Sequence, residues 1–380
     1  METTACSGPV TMSVMEHDER TVLDDTVLDN TVLDNTTPWL DGAWHVVATA
    51  EELGDRPLRV ELLGRPWVLL RADHRIAAFP DRCPHRLAPL SAGRCVDGVL
   101  ECGYHGWRFN TSGTCVDVPA LGPGAVIPSR ADLTPAPGVA ERYGLIWLAP
   151  AAPMADIPAF PEWDAPESAG FDRVRTSIVR TPVSAAQLVD NFLDAAHFPF
   201  VHTGTFGDER AAPVVDDGTD RDGWSVWTVF DTWYRNADDP LVATGEHDLL
   251  QPQRLLKQAT AGLSVYLRLE FPVTGATLSI LFCCQPESAT STRIYKLVAR
   301  NDIGGDPARI ERCIDDEDLI LTEDLAILER YDRMELHLDP RVEVHTRADR
   351  LSVAWRQVMA ELASAHAPGS PVGAPTLQRS

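Results

Sequence analysis

Cys83 and His85 stand one residue apart, Cys102 and His105 stand two apart, and sixteen residues separate the two pairs. Each pair, CPH and CGYH, presents one thiolate and one imidazole from a tight turn, so two turns offer four ligands. Thiolates suit iron bridged by sulfide, and imidazoles can hold a second iron of the same unit. A His₂Cys₂ set of this kind holds a [2Fe-2S] cluster in which neutral imidazoles replace two anionic thiolates. Such a cluster is easier to reduce, so it accepts single electrons and hands them on. A structural zinc is the competing occupant, since Cys₂His₂ also fits zinc. Zinc fingers group two cysteines and then two histidines, whereas here each pair is mixed. Gly103 and Gly106 let the backbone approach closely, so that amides can reach bridging sulfides. Cys95 and Cys115 fall outside the pattern and read as small buried apolar residues.

A second group lies in LVDNFLDAAHFPFVH, from Leu188 to His202. Read as a helix, Asp190, Asp194 and His197 follow an i, i+4, i+7 spacing and fall within about 60° of one another. Carboxylates on so apolar a helix need a cation or a partner. His197 and His202 are about 140° apart on a regular helix, too far round to share an ion. Pro199 lies between them and disfavours helix at the residue before it, so a bend there brings the imidazoles together. Two histidines and one carboxylate make the facial triad of O₂-activating ferrous sites. Asp324 is the third member in this reading, because it shares a helical stripe with Ile320, Ile327 and Tyr331, where the pattern asks for an apolar residue. Glu323, Asp318 and Glu329 are less centred on that stripe and read as exposed. The alternative is two ordinary histidines and solvated aspartates.

Strands and turns must position the first group. From Trp44 to Leu148 short β-rich runs recur, WHVVA, LRVELL, PWVLLR, IAAFP, VLECGYHGWRF, TCVDV and LIWL, punctuated by Gly, Pro and Asp. They read as a compact antiparallel β domain over 38–150. A Pro-rich linker opens a second domain over 151–365. That domain begins with a helical segment near Ser184 to Phe198 and continues with the strand-like runs WSVWTVFDTWY, LSVYLRLEF, ATLSILFCC and RIYKLVAR. Helices follow over about Glu311 to Glu335 and Arg347 to Ala365. Strands followed by helices define an α+β class, with helices against one face of an antiparallel sheet. Trp227, Phe230, Tyr266, Phe271 and Phe282 are candidate pocket walls, although most read equally well as core. Residues 1–37 carry the near-repeat TVLDD-TVLDN-TVLDN and read as a flexible arm, and residues 366–380 read as a disordered tail.

The chain has 380 residues and a formal net charge of −23. Nucleic-acid binding is excluded by that acidity. No apolar run approaches a membrane span, and the first residues lack the basic start and apolar stretch of a secretory signal. Eight cysteines, two of them paired with histidines, point to metal ligation in a reducing cytoplasm rather than to disulfides. Arg82, Arg86, Arg94 and Arg108 surround the cysteine motifs, either as a docking patch for an electron donor or as ordinary solvated arginines.

The sequences CPHR…CGYHGWRF and D-x₂-H-x₄-H followed by a distant aspartate resemble the Rieske non-haem iron oxygenases, specifically their catalytic (alpha) subunits, over about residues 39–360. The resemblance implies a Rieske domain joined to a helix-grip-like catalytic domain with a curved antiparallel sheet. It implies that Cys83, His85, Cys102 and His105 hold the cluster, and that His197, His202 and Asp324 hold a mononuclear Fe(II). Asp194 would bridge to the cluster histidine of a neighbouring subunit, His105 here, and Asn191 matches a position close to the iron. A homotrimer follows, because electrons cross between subunits. No Gly-rich dinucleotide fingerprint is visible, so NAD(P)H is oxidised by a partner reductase, with or without a ferredoxin. The activity implied is oxygenation of a small organic substrate with O₂, by hydroxylation or oxidative demethylation. The alternative from another class is a Rieske electron-transfer protein with a non-catalytic ligand-binding domain.

Overall fold

The structure, a computed structural model, describes residues 31–72, 75–164, 170–214, 218–237 and 239–366. Most of the expected arm and nearly all of the expected tail lie outside these residues. Order begins earlier than Pro38. Val32–Leu33 forms strand β1, Leu33 is fully buried, and Asn35 is buried as well. The Asn35 amide donates to Ser288 O at 3.0 Å, Ser291 O at 3.2 Å and Thr292 Oγ1 at 2.9 Å, and its oxygen accepts from Ala185 N at 2.8 Å. The third copy of the TVLDx repeat is therefore docked onto the second domain.

The first domain carries strands β2 (His45–Thr49), β3 (Leu58–Leu62), β4 (Arg65–Ala72), β5 (Arg75–Pro80), β6 (Arg94–Val96), β7 (Val99–Glu101), β8 (Arg108–Phe109), β9 (Cys115–Asp117), β10 (Gly138–Arg142) and β11 (Leu145–Ala149). They form three antiparallel sheets of order β10-β11-β2, β3-β4-β5 and β6-β7-β8-β9. A separate core of Phe79, Leu90, Leu100 and Phe109 backs the four-stranded sheet.

A short helix α1 (Pro161–Asp164) leads to β12 (Asp172–Arg175) and β13 (Val179–Thr181), and then to helices α2 (Ala185–Leu193) and α3 (Phe198–Val201). Strands β14 (Asp220–Asp222) and β15 (Ser225–Arg235), helix α4 (Pro240–Thr244), and strands β16 (Leu250–Thr260), β17 (Ser264–Phe271), β18 (Ala276–Ser288) and β19 (Ser291–Arg300) follow. Helix α5 (Pro307–Leu328), strand β20 (Leu336–His337) and helix α6 (Arg350–Ala365) complete the order. Strands β12 to β19 make one eight-stranded antiparallel sheet. One face packs on α2, α5 and α6 through Leu255, Val265, Ile280 and Trp355. The other packs on the first domain, where Tyr295 and Leu281 meet Val46 and Trp147. Burial on both faces explains why β18 is an almost unbroken apolar run rather than an alternating one. Backbone bonds tie the domains together, from Leu63 N to Pro286 O at 2.7 Å and from Gly64 N to Glu287 O at 3.0 Å.

Three expectations change. The single helix over 184–198 is two helices with a corner at Asp194. The late helix runs from Pro307 to Leu328 and is capped by Asp306, whose carboxylate accepts from Ala308 N at 2.9 Å. The strand β16, LQPQRLLKQAT, escaped the sequence reading because Gln, Lys and Pro mask its period-2 pattern. Of the candidate pocket walls, Phe230 and Phe282 point toward the helices, whereas Tyr266 lies on the opposite face.

Candidate metal sites

Two loops of the first domain hold the cysteine–histidine pairs, and they are built alike. Leu87 N donates to Cys83 O at 2.9 Å, and Gly106 N donates to Cys102 O at 3.0 Å. Each turn closes on a residue of positive φ, 60° at Leu87 and 69° at Gly106. Glycine adopts this backbone freely and leucine does so at a cost. Both cysteines are buried, whereas His85 and His105 are exposed. The two imidazole rings lie 4.5 Å apart edge to face, and Trp107 stacks on His85 at 4.7 Å. Burial pushes the Cys83 thiol up to about 11, with Cys102 beside it adding to the shift. Two adjoining buried thiols ionise together only if a cation compensates them. The four donors do not converge as a single-ion group. Among the described residues only His197, His202 and Asp324 bring three such atoms within 4.8 Å of one another. Two adjoining buried thiols beside two exposed imidazoles make the mixed donor set that a two-iron unit takes.

The second site sits where α2 ends. Asp194 is the C-cap of α2 and is extended, with φ −70° and ψ 143°. Its carboxylate accepts from Ala196 N at 2.8 Å and His197 N at 3.1 Å, which starts the next turn. The bend therefore falls before His197, and Pro199 sits inside α3 near its start. The corner replaces the continuous stripe of Asp190, Asp194 and His197. Asp190 turns instead to Arg356, which is buried and binds both carboxylate oxygens at 3.1 and 2.9 Å.

His197 Nδ1 donates to Asp194 Oδ2 at 2.8 Å, and His202 Nδ1 donates to Glu323 Oε2 at 2.9 Å. Each Nε2 then points inward, 3.4 Å from Asp324 Oδ1. That buried oxygen takes no hydrogen bond. Imidazoles fixed through Nδ1 by carboxylates, with Nε2 turned toward a third anionic ligand, form the arrangement that supports a metal. An orphaned buried carboxylate oxygen is costly without one. The residues present therefore fit a divalent ion. Burial disfavours charge on His197, but Asp194 and Asp324 outweigh it and raise its pKa, whereas burial lowers that of His202.

A cavity of about 260 Å³ opens beside this group, lined by Asp190, Asn191, Asp194, His197, Asp324 and Tyr331 among others. Asn191 thus lies with Asp194 on the cavity wall, and its carbonyl accepts from Asp194 N at 3.1 Å. Behind the corner stands Lys257, fully buried. Burial pushes its amine down to about 8, against the pull of Asp194 and Asp324.

The helical phase of α5 differs from the sequence reading by about one residue. Its buried positions are Cys313, Glu317, Leu321, Asp324 and Leu328, while Ile327 is 47 % and Tyr331 45 % exposed. Asp324 is buried as expected, but Glu323 is half-buried and serves His202 rather than solvent. Glu323 and Lys257 are the functional candidates that the sequence reading missed. No sequence signal pointed to Lys257, because β16 itself was not recognised and its inward face also carries Gln251 and Gln253. Of the four arginines near the cluster loops, Arg94 and Arg108 bind Glu101 at 2.6 and 2.8 Å.

The fold and these two sites define a Rieske non-haem iron oxygenase, and the chain belongs to that family as an oxygenase (alpha) subunit, an oxidoreductase. Residues 43–135 match the Rieske [2Fe-2S] domain family. Residues 182–365 match the family described as vanillate O-demethylase oxygenase C-terminal domain. The chain is 30% identical over 344 residues to methylxanthine N1-demethylase NdmA of Pseudomonas putida, spanning 86% of this chain and 90% of that protein. It is 38% identical over 183 residues to the oxygenase component of dicamba O-demethylase of Stenotrophomonas maltophilia, covering 46% of this chain and 53% of the relative. The structure of Pseudomonas putida NdmA with caffeine superposes with a TM-score of 0.73 at 27% identity, covering 88% of this chain and 94% of that one. Among the described residues no helix is long and apolar enough to cross a membrane.

Proposed function

We propose that the chain uses O₂ to remove a methyl group from, or hydroxylate, a small aromatic or heterocyclic substrate. Oxidative demethylation is the preferred reaction, because both of the relatives described above are named as demethylases. The observation that carries this reading is the convergence of His197 Nε2, His202 Nε2 and Asp324 Oδ1 with both Nδ1 atoms anchored on carboxylates. In this reading these three residues hold Fe(II), and Cys83, His85, Cys102 and His105 hold the cluster. When bound, the ferrous ion supplies open positions for O₂, and the cluster supplies electrons one at a time.

The chain's own groups do the rest. Asp194 and Glu323 hold the two Nδ1 protons, so that each imidazole is fixed in orientation with its Nε2 lone pair available to an ion. Asp324 adds the charge that matches a divalent ion. Asp194 is 27% exposed toward the cavity, so its free edge can accept a hydrogen bond from His105 of a second copy, with Asn191 beside it. A homotrimer built this way would seat the exposed cluster tip, with Leu87 and Tyr104 at its rim, against the exposed Ile327, Tyr331 and Val344 around the cavity. Electrons arrive from an NAD(P)H-dependent reductase, directly or through a ferredoxin, and Arg82 and Arg86 beside the cluster are the docking candidates. Thiols that must stay reduced to ligate iron suit a cytoplasmic location.

The test is metal content followed by turnover. Purified protein should hold acid-labile sulfide and about three irons per chain, two in the cluster and one in the facial triad. Coupled to a ferredoxin/reductase pair, it should consume O₂ with N-methyl or O-methyl substrates and release the demethylated product. About two irons per chain, with no substrate-dependent O₂ uptake, would instead identify an electron carrier.

A further inference from the structure

We propose that Lys257 is a positioning residue for the ferrous site, gripping the α2–α3 corner from behind and so setting the aim of Asp194 and His197. The proposal rests on the assignment of His197 as an iron ligand.

Lys257 lies on β16 at an inward position between Leu255 and Ala259, all three fully buried. Its Nζ donates to Asp194 O at 2.7 Å and Phe192 O at 3.0 Å, and lies 3.5 Å from Leu193 O. The last carbonyls of a helix have no intrahelical donor, and water or a glycine turn usually serves them. Here the helix ends inside the core, without a glycine, and one ammonium takes all three. Among the described residues no other donor reaches these carbonyls.

A cap of this kind could be structural alone. Two observations tie it to the site. The nearest of the three carbonyls belongs to Asp194, whose carboxylate holds His197 Nδ1 at 2.8 Å and His197 N at 3.1 Å. The two ends of one residue are thus fixed by Lys257 and by His197, so a shift of the carbonyl swings the carboxylate. The same ammonium lies 4.4 Å over the ring of Phe198, the residue after His197, and that ring is 4.9 Å from the His197 imidazole. Lys257 therefore touches the chain on both sides of the ligand without touching the ligand itself. The second buried lysine of the sheet, Lys296, is engaged elsewhere, pairing with Glu317 of α5 at 3.0 Å.

The experiment compares the wild-type protein with Lys257→Met and Lys257→Gln, each carrying its cluster. Anaerobic ferrous titration, the ligand-field spectrum of the Co(II)-loaded site, cluster absorbance and the thermal midpoint are read on each. Lys257→Met should bind Fe(II) at least about tenfold more weakly, the scale on which outer supports of a metal ligand act. Its cobalt bands should shift while cluster absorbance stays unchanged. Lys257→Gln keeps a donor and should fall between. A Met variant that binds iron as tightly as the wild type with unshifted cobalt bands would overturn the proposal, even if its thermal midpoint falls. Failure of both variants to fold would overturn it too, by assigning Lys257 to global stability. If the wild type itself takes up no ion beyond its cluster, the fault lies in the His197, His202 and Asp324 assignment instead.

Discussion

Glu323 and Asp324 are neighbours on one helix, yet they face the two histidines differently. Asp324 Oδ1 stands 3.4 Å from both Nε2 atoms, while Glu323 Oε2 takes the Nδ1 hydrogen of His202 at 2.9 Å and the hydroxyl of Thr205 at 3.0 Å. Replacing Glu323 by Leu leaves His202 free to rotate or to change tautomer. Ferrous affinity should then drop by about 10–100-fold, with cluster absorbance unchanged, as read by anaerobic titration. Asp315→Asn, on an exposed turn of the same helix, should leave that affinity where it was. The two cysteine–histidine pairs, proposed as the cluster ligands, were legible in the sequence because both of their loops are local. The role of Glu323 was not legible. It depends on the helical phase of α5, which is set by packing on the sheet and differs by about one residue from the phase that Ile320, Ile327 and Tyr331 suggested.

Elements place these side chains, and two buried polar anchors place the elements. Asn35 joins the β18–β19 hairpin to the first residue of α2 through four hydrogen bonds. Asn35→Ala strands their partners, and should lower unfolding stability by about 2–4 kcal/mol on the usual cost of unsatisfied buried groups, seen as a lower denaturant midpoint. The second anchor is the Lys296–Glu317 pair, buried at both ends, two helical turns before Asp324. Lys296→Met alone should destabilise by about 3–5 kcal/mol, and adding Glu317→Leu should recover most of that loss, because an unpaired buried charge costs more than an absent pair. Equal losses in the single and double variants would show that the pair contributes through packing only. Neither anchor could be read from the sequence, since Asn35 sits in a repeat that looks like a disordered tract and Lys296 in an apolar strand. What was readable at this scale was the class of each element. The long strands β15, β17, β18 and β19 and the two late helices appear near their expected places, while β16 and the corner at Asp194 needed tertiary contacts to declare themselves.

At the scale of the whole molecule the proposed electron route joins the two sites, and it runs between chains rather than within one. His85 and His105 are exposed on the first domain, and the cavity lined by Asp194 lies in the second. Those two surfaces can be separated genetically. A chain with Cys83→Ala loses its cluster but keeps Asp194 and the facial triad. A chain with Asp194→Asn keeps both metals but loses the bridging carboxylate. Each alone should be inactive with reductase and substrate. Unfolded together or co-expressed in equal amounts, they assemble at random, and in a closed ring each junction pairs the cluster side of one chain with the iron side of the next. A quarter of the junctions then join an intact cluster to an intact Asp194, so the mixture should recover about 25% of wild-type demethylation. Electron transfer within one chain gives no recovery, because no chain carries both functional halves. Measured product per chain near zero in a mixture whose size matches the wild-type assembly would remove the intersubunit route and leave each chain to supply its own iron.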